Sequence, residues 1–344
     1  MPFRHVLILA GGRGERFWPW SRPERPKQLL PLARGGRTLL GAAFERALRL
    51  VERDHVLVMT SADLTGACQR ECPGARVLGE PVGRNTAPAI AAAAAWMDDA
   101  DAFAVMPADA AIDDQAAFAA DLERAFALAE RESVLVTFGI RPSQPETNFG
   151  YLRRGAALGP RLYRVAQFTE KPDRERAAAW VKGGEHLWNA GIFVWRRGVF
   201  FGALEAGRPA LAQALRSFEF PRSADGFTSA LQRIYPGLES ISVDYAMLER
   251  APNVVMIEAA FDWDDLGSWG AWARRQPRDA RGNVLHGDAI ALDCDRCVVV
   301  GDGGRAAAIG LADMVVVHAQ GATLACRIED SERVRDVARS GFAT

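Results

Sequence analysis

Several stretches of the 344-residue chain hold side chains whose types and spacing suit phosphate chemistry. The first, LILAGGRGERFWPWSRPERPKQLLPL over residues 7–32, places Gly11, Gly12 and Gly14 after an apolar run and brings Arg13, Arg16 and Lys27 after them. Glycines let a backbone approach a polyphosphate closely with its N–H groups facing the ligand. Neither familiar glycine spacing fits, because Phe17 breaks the dinucleotide pattern and no Lys-Ser/Thr closes a P-loop. Pro19, Pro23 and Pro26 stiffen the segment. Its cations are then held at low entropic cost, which suits an anion site better than a plain turn.

Carboxylates come next. Asp109 follows the apolar run ending Met106-Pro107-Ala108, where it can carry a divalent metal beside phosphates, while Asp113 reads as the cap of the next helix. Asp262, Asp264 and Asp265 in DWDDLGSW offer a second metal-binding carboxylate, with the choice among them open. Glu170 and Lys171 in FTEKPD suit sugar hydroxyls and a phosphate, and Asn189 in WNAGIF adds an amide beside small residues. In GEPVGRNTAP, Asn85 or Thr86 can cap the following alanine-rich helix, Thr86 in particular. Glu80 is a natural acceptor for guanine N1–H and its N2 amine.

These loops need a scaffold. Apolar runs at 6–10, 55–60, 102–106 and 134–139 alternate with helical patterns at 39–53, 87–97 and 116–131. That alternation predicts an α/β fold, a Rossmann-like, mainly parallel sheet covered by helices on both faces, with ligands beyond the carboxyl ends of its strands. From about Arg281 short β-rich runs broken by Gly and Asp predict a small β-helix-like or stacked-hairpin domain, closed by a helix at 332–339. The expected domains are 1–280, catalytic, and 281–344, β-rich.

Composition narrows the function. A net charge of −1 gives no general attraction to nucleic acid or anionic membrane, so neither partner is expected. There is no run of 18 apolar residues, and MPFRHVLILAGG lacks a signal peptide's features, so a cytoplasmic location is expected. Five cysteines read as reduced thiols, and Cys294-x-x-Cys297 has no further ligands at zinc spacing.

In sequence order, LAGGRGERFWPWSRPERPKQLL, GEPVGRNTAPAI, MPAD, FTEKPD, WNAGIFVW, SVDYAMLE and DWDDLGSW resemble the short, monofunctional mannose-1-phosphate guanylyltransferases (GDP-mannose pyrophosphorylases) of the sugar nucleotidyltransferase superfamily. The resemblance implies transfer of GMP from GTP to mannose 1-phosphate, giving GDP-mannose and pyrophosphate with Mg2+. By it, Leu9, Ala10, Gly11, Gly12, Gly14, Arg16 and Lys27 face the nucleotide and its phosphates, and Glu80, Asn85 and Thr86 face the base. Asp109, itself also nucleotide-facing, and Asp265 hold the metal. Gly150, Glu170, Lys171 and Asn189 face the sugar phosphate, and Arg16, Lys27, Asp109 and Asp265 are the catalytic group. Ala110 stands where the family usually carries His, and Trp20 where Leu is more usual. Another manno-configured sugar phosphate, such as a heptose phosphate, or a catalytically silent nucleotide-sugar-binding regulator are the alternatives. A homodimer is an open expectation.

Overall fold

A computed structural model describes residues 2–12, 14–216 and 223–340; Arg13, one of the loop cations named above, lies outside them. The chain folds as two compact units. The first comprises Met1–Gly11, Ala43–Ala108 and Ile112–Trp263; the second comprises Gly12–Ala42, Asp109–Ala111 and Asp264–Thr344. Compactness thus divides the chain differently from the expected cut at 280/281.

In the first unit, nine strands among the described residues form one sheet. They are β1 (Arg4–Leu9), β2 (Val56–Ser61), β3 (Arg76–Glu80), β4 (Ala102–Pro107), β5 (Leu135–Ile140), β6 (Gly150–Gly159), β7 (Leu162–Glu170), β8 (His186–Arg196) and β9 (Val254–Glu258). Their order is β3-β2-β1-β4-β8-β5-β9-β7-β6. β3, β2, β1 and β4 pair in parallel, as do β5 and β9, whereas β8 and β7 run against their neighbours. The sheet is the mixed, mainly parallel one expected. β2, β4, β5 and β9 are buried at successive positions, so both faces are covered.

The covering helices include α1 (Leu39–Ala47), α2 (Thr65–Glu71), α3 (Thr86–Ala93), α4 (Gln115–Arg131), α5 (Arg174–Gly183), α6 (Arg197–Gly207), α7 (Pro209–Arg216) and α8 (Ala224–Ile234). The helix expected to reach Arg53 stops at Ala47, where i to i+3 hydrogen bonds of Arg49 and Leu50 tighten the last turn. The cap of α4 is Asp114, whose carboxylate accepts from Ala117 N at 2.9 Å, and not Asp113.

In the second unit β10 (Val284–Leu292), β11 (Val298–Ile309) and β12 (Met314–Ala319) pair in parallel, and β13 (Ala322–Arg327) closes the sheet antiparallel. Parallel neighbours joined by short connections form a β-helix-like coil, turned where Asp293, Arg296 and Asp313 take φ of 51°, 53° and 55°. Alternation along β11 feeds two cores: Val298 and Val300 pack with Trp20, Trp269 and Trp272, and Val299 packs with Cys294 and Cys297. α9 (Trp269–Arg274) and α10 (Val334–Arg339) complete the unit, α10 following a 3-10 segment at Ile328–Arg333. The tryptophans of the opening loop belong here. Trp20 stacks on Trp269 with rings 5.7 Å apart, and its Nε1 donates to Asp302 at 2.6 Å.

Candidate active site

Within the second unit, Gly14, Arg16, Lys27, Asp109 and Asp265 line one cleft of about 430 Å³. Gly14 makes the approach possible. It takes φ 64°, and a Cβ there would overlap the Lys27 backbone, so no side chain fits. Pro26 opens the 3-10 turn Lys27–Leu29, which buries the Lys27 stem and aims its ammonium into the cleft. Lys27 Nζ donates to Asp109 Oδ2 at 2.9 Å and to the Asp265 carbonyl. Asp109 and Asp265 are tied by a two-bond bridge between Ala111 and Asp264, at 2.8 and 3.0 Å. Arg16 reaches the Gly267 carbonyl at 3.5 Å.

The three acids of DWDDLGSW part company. Asp262, in the first unit, accepts from Asp113 N and Asp114 N at 2.9 and 2.7 Å and anchors the start of α4. Asp264 accepts from Leu266 N at 2.9 Å and faces Arg274 at 3.8 Å. Only Asp265 of the three lines the cleft. Burial pushes its carboxyl up to about 6, while Lys27 pulls it down and Asp264 and Asp109 push it up further. Leu266, next to it, is held at φ 45°, a conformation costing about 1–3 kcal/mol for a non-glycine residue. Asp265 and Asp109 give the cleft wall a two-carboxylate donor set. It fits Mg2+, which takes one or two carboxylates and keeps water and phosphate oxygens as its other ligands.

In the first unit two further groups lie beyond strand ends. Glu80 ends β3 and is buried, with the Tyr235 hydroxyl, delivered just past α8, donating to its Oε1. Oε2 lies 3.5 Å from where a Cβ on Gly11 would stand, so glycine keeps that side of the carboxylate open. Burial pushes Glu80 up to about 7, and the Tyr235 hydrogen bond offsets part of that. Asn85, at φ 67°, is the cap of α3 through its Oδ1, correcting the preference for Thr86. The Thr86 hydroxyl instead accepts from Val243 N at 2.9 Å. Leu9 and Ala10 are held at the carboxyl end of β1, between β4 and β2: Ala108 N donates to Leu9 O, and Ala10 N donates to Met59 O.

The second group gathers around Glu170, at the end of β7. Lys171 donates to Glu170 Oε1 at 2.8 Å, and Gly150, its strand partner, has no Cβ to meet Oε2. Asn189 sits within β8, not in a loop, because β8 inserts between β4 and β5. Its Oδ1 accepts from the Thr137 hydroxyl at 2.9 Å and its Nδ2 donates to Asp244 at 3.1 Å. Asp244 opens a π-helical turn, Asp244–Leu248, and burial together with Glu170 pushes its carboxyl up to about 7.

Asp244 was not singled out from sequence, although it stands in SVDYAMLE. Tyr235 carries no motif signal. Arg335 and Arg339 of α10 also line the cleft of Lys27 and Asp109, and their spacing of four on one helix face was the available clue. Among the described residues no group of three or more His, Cys, Asp or Glu converges as a metal cage, and no helix is long and apolar enough to cross a membrane.

Residues 5–281 match the family model described as nucleotidyl transferase, and residues 287–340 match the MannoseP isomerase/GMP-like beta-helix domain. The chain is 36% identical over 340 residues to the mannose-1-phosphate guanylyltransferase of Escherichia coli, covering 96% of this chain and 72% of that protein. It is 36% identical to the xanthan biosynthesis protein XanB of Xanthomonas campestris pv. campestris (strain B100), with the same coverage. A crystal structure described as mannose-1-phosphate geranyltransferase from Thermus thermophilus superposes with a TM-score of 0.89 at 34% identity, covering 98% of this chain and 99% of that one.

Proposed function

The chain belongs to the nucleotidyl transferase family, and on that premise we propose that it transfers GMP from GTP to α-D-mannose 1-phosphate, giving GDP-mannose and pyrophosphate. The observation that carries the reading is the Gly14–Lys27–Asp109–Asp265 cluster, whose chemistry suits holding and discharging a polyphosphate. The printed name of the Escherichia coli relative supplies the sugar phosphate and the guanylyl group.

In this reading the sugar phosphate needs no protein nucleophile. Its oxygen attacks the α-phosphorus of GTP in line, and pyrophosphate leaves. Lys27 screens the two anions as they approach, and the Arg16 fork takes charge that grows on the departing pyrophosphate. Gly11, Gly12 and Gly14 bring backbone N–H groups to the phosphates, with Leu9 and Ala10 framing the loop. Asp109 and Asp265 would hold Mg2+, which supplies neutralisation of phosphate charge when bound. Glu80 accepts from guanine, with Asn85 and Thr86 flanking the base. Gly150, Glu170, Lys171 and Asn189 face the sugar phosphate, and Asp244 joins them by holding the Asn189 amide. We further read residues 1–280 as the catalytic module and 281–344 as the β-rich module, and place the reaction in the cytoplasm.

The test is pyrophosphate release by the full chain across GTP, ATP, UTP and CTP with a panel of sugar 1-phosphates. GTP with mannose 1-phosphate should be the best pair by a wide margin. Preference for another base or sugar, or no turnover with any pair, overturns the proposal.

A further inference from the structure

The phosphate cleft has a wall to which the proposed reaction assigns no role. α10, which belongs to the β-rich sequence module, presents Arg335 and Arg339 to the same cleft as Arg16 and Lys27. The helix is fixed there. Val334 is buried, Val337 and Ala338 pack against the core that contains Phe17 and Trp269, and Arg339 Nε donates to Glu15 Oε2 at 2.6 Å. Residues four apart share a helix face, so burying Val334 and Val337 turns Arg335 and Arg339 together toward the cleft.

The charges of the cleft are unequally engaged. Lys27 donates to Asp109, and Arg339 is paired with Glu15. Arg16 is at the limit of a hydrogen bond with a carbonyl. Arg335, its side chain half exposed, forms an ion pair among the described residues with its chain neighbour Asp336 at 3.7 Å. Two guanidiniums therefore face the space with most of their donors available. A guanidinium fork matches phosphate oxygens in bidentate fashion, and two forks suit an anion with two phosphoryl groups better than one does.

We propose that Arg335 is a pyrophosphate-binding residue, contributed by the β-rich module to the phosphate cleft, where it contacts the outer phosphates of the nucleoside triphosphate and the pyrophosphate that leaves. The inference rests on the reaction class proposed above. It gives the β-rich module a direct part in the chemistry in addition to burying the tryptophans of the opening loop.

The experiment is calorimetric binding of pyrophosphate with Mg2+ to the full chain, wild type against Arg335→Ala and Arg335→Gln, with melting temperature as a control. Loss of a charge-assisted pair should weaken pyrophosphate binding about ten- to a hundredfold in both variants. Arg335→Lys should recover part of it. In turnover assays the KM for GTP should rise and the KM for mannose 1-phosphate should stay within about twofold of wild type. Pyrophosphate affinity unchanged in a variant that melts like wild type overturns the inference, as does absence of pyrophosphate binding to the wild type. Failure of the wild type to turn over GTP with any sugar 1-phosphate sinks the parent reading instead, and the binding comparison still decides the role of Arg335.

Discussion

Replacing Glu80 by Gln should perturb the proposed base recognition with little change of shape. Glu80 is buried, and Tyr235 already donates to Oε1, so Oε2 is the oxygen left to accept from a base. Hydrogen bonds to a charged acceptor contribute about 1.5–3 kcal/mol, and about 1.4 kcal/mol is tenfold, so GTP should lose about ten- to a hundredfold in kcat/KM. ATP, whose base offers no N1–H to that oxygen, should change little, and the preference for GTP should collapse by the same factor. The pH dependence gives a second reading of the same group. With the carboxyl pushed up to about 7 by burial, it is mostly ionised at pH 8 and mostly protonated at pH 6. The wild-type KM for GTP should therefore rise about tenfold from pH 8 to pH 6, and the Gln variant should lack that change. Stability moves the other way. A folded-state value above the usual carboxylate range means that the native state holds the proton more tightly than the unfolded chain. Its contribution is fully present below the unfolded value and is lost as pH rises through about 7. Glu80→Gln should thus melt higher relative to wild type at pH 8 than at pH 5. Steady-state kinetics with both nucleotides at the two pH values, with melting curves alongside, provide the assay. An unchanged GTP-to-ATP ratio in the Gln variant refutes the assignment.

Asp109→Asn and Asp265→Asn should each cut turnover at saturating Mg2+ by about a hundredfold or more, and Asp265→Asn should melt no lower than wild type because burial already disfavours its charge; near-normal turnover removes that carboxylate from the metal site. Arg16→Ala should lower kcat about a hundredfold with little effect on the KM for mannose 1-phosphate, and Arg16→Lys should not restore it, since an ammonium cannot reproduce the fork; full activity of the Lys variant would show that charge alone is needed. Gly150→Ala places a Cβ 2.5 Å from Glu170 Oε2 and 3.2 Å from the Phe168 ring. It should raise the KM for mannose 1-phosphate about tenfold and leave that for GTP near wild type, as steady-state kinetics would report.

Local sequence determined a good deal of this protein. Continuous apolar runs produced β1, β2, β4 and β5 within a residue or two of where alternation with helices placed them, because a strand buried on both faces is apolar at every position. Residues 11–14 announced a close approach of backbone, and Gly14 meets one, against Lys27. Asp109 could be read as a strand-end carboxylate from MPAD alone. Short-range chemistry of this kind is written in neighbouring residues.

What only the tertiary structure decided are the pairings between residues far apart in the chain. Three acids in DWDDLGSW are alike as sequence, and they separate when Asp262 is drawn to the start of α4, Asp264 into its own turn and Asp265 into the cleft. Asn189 looked like a loop residue until β8 inserted between β4 and β5 and turned its amide to Asp244. Tyr235 reaches Glu80 across 155 positions, which no local pattern records. The opening loop is the clearest case. Its prolines read as stiffening around a phosphate cradle, and the fold uses the loop's aromatics, to which no local pattern assigned a role, to bind it to the β-helix-like strands. Burial of large apolar area is non-directional and chooses its partner only once the chain is folded. The same choice sets α10 beside Arg16, adding Arg335 and Arg339 to a cleft whose other cations, Arg16 and Lys27, lie near the N-terminus.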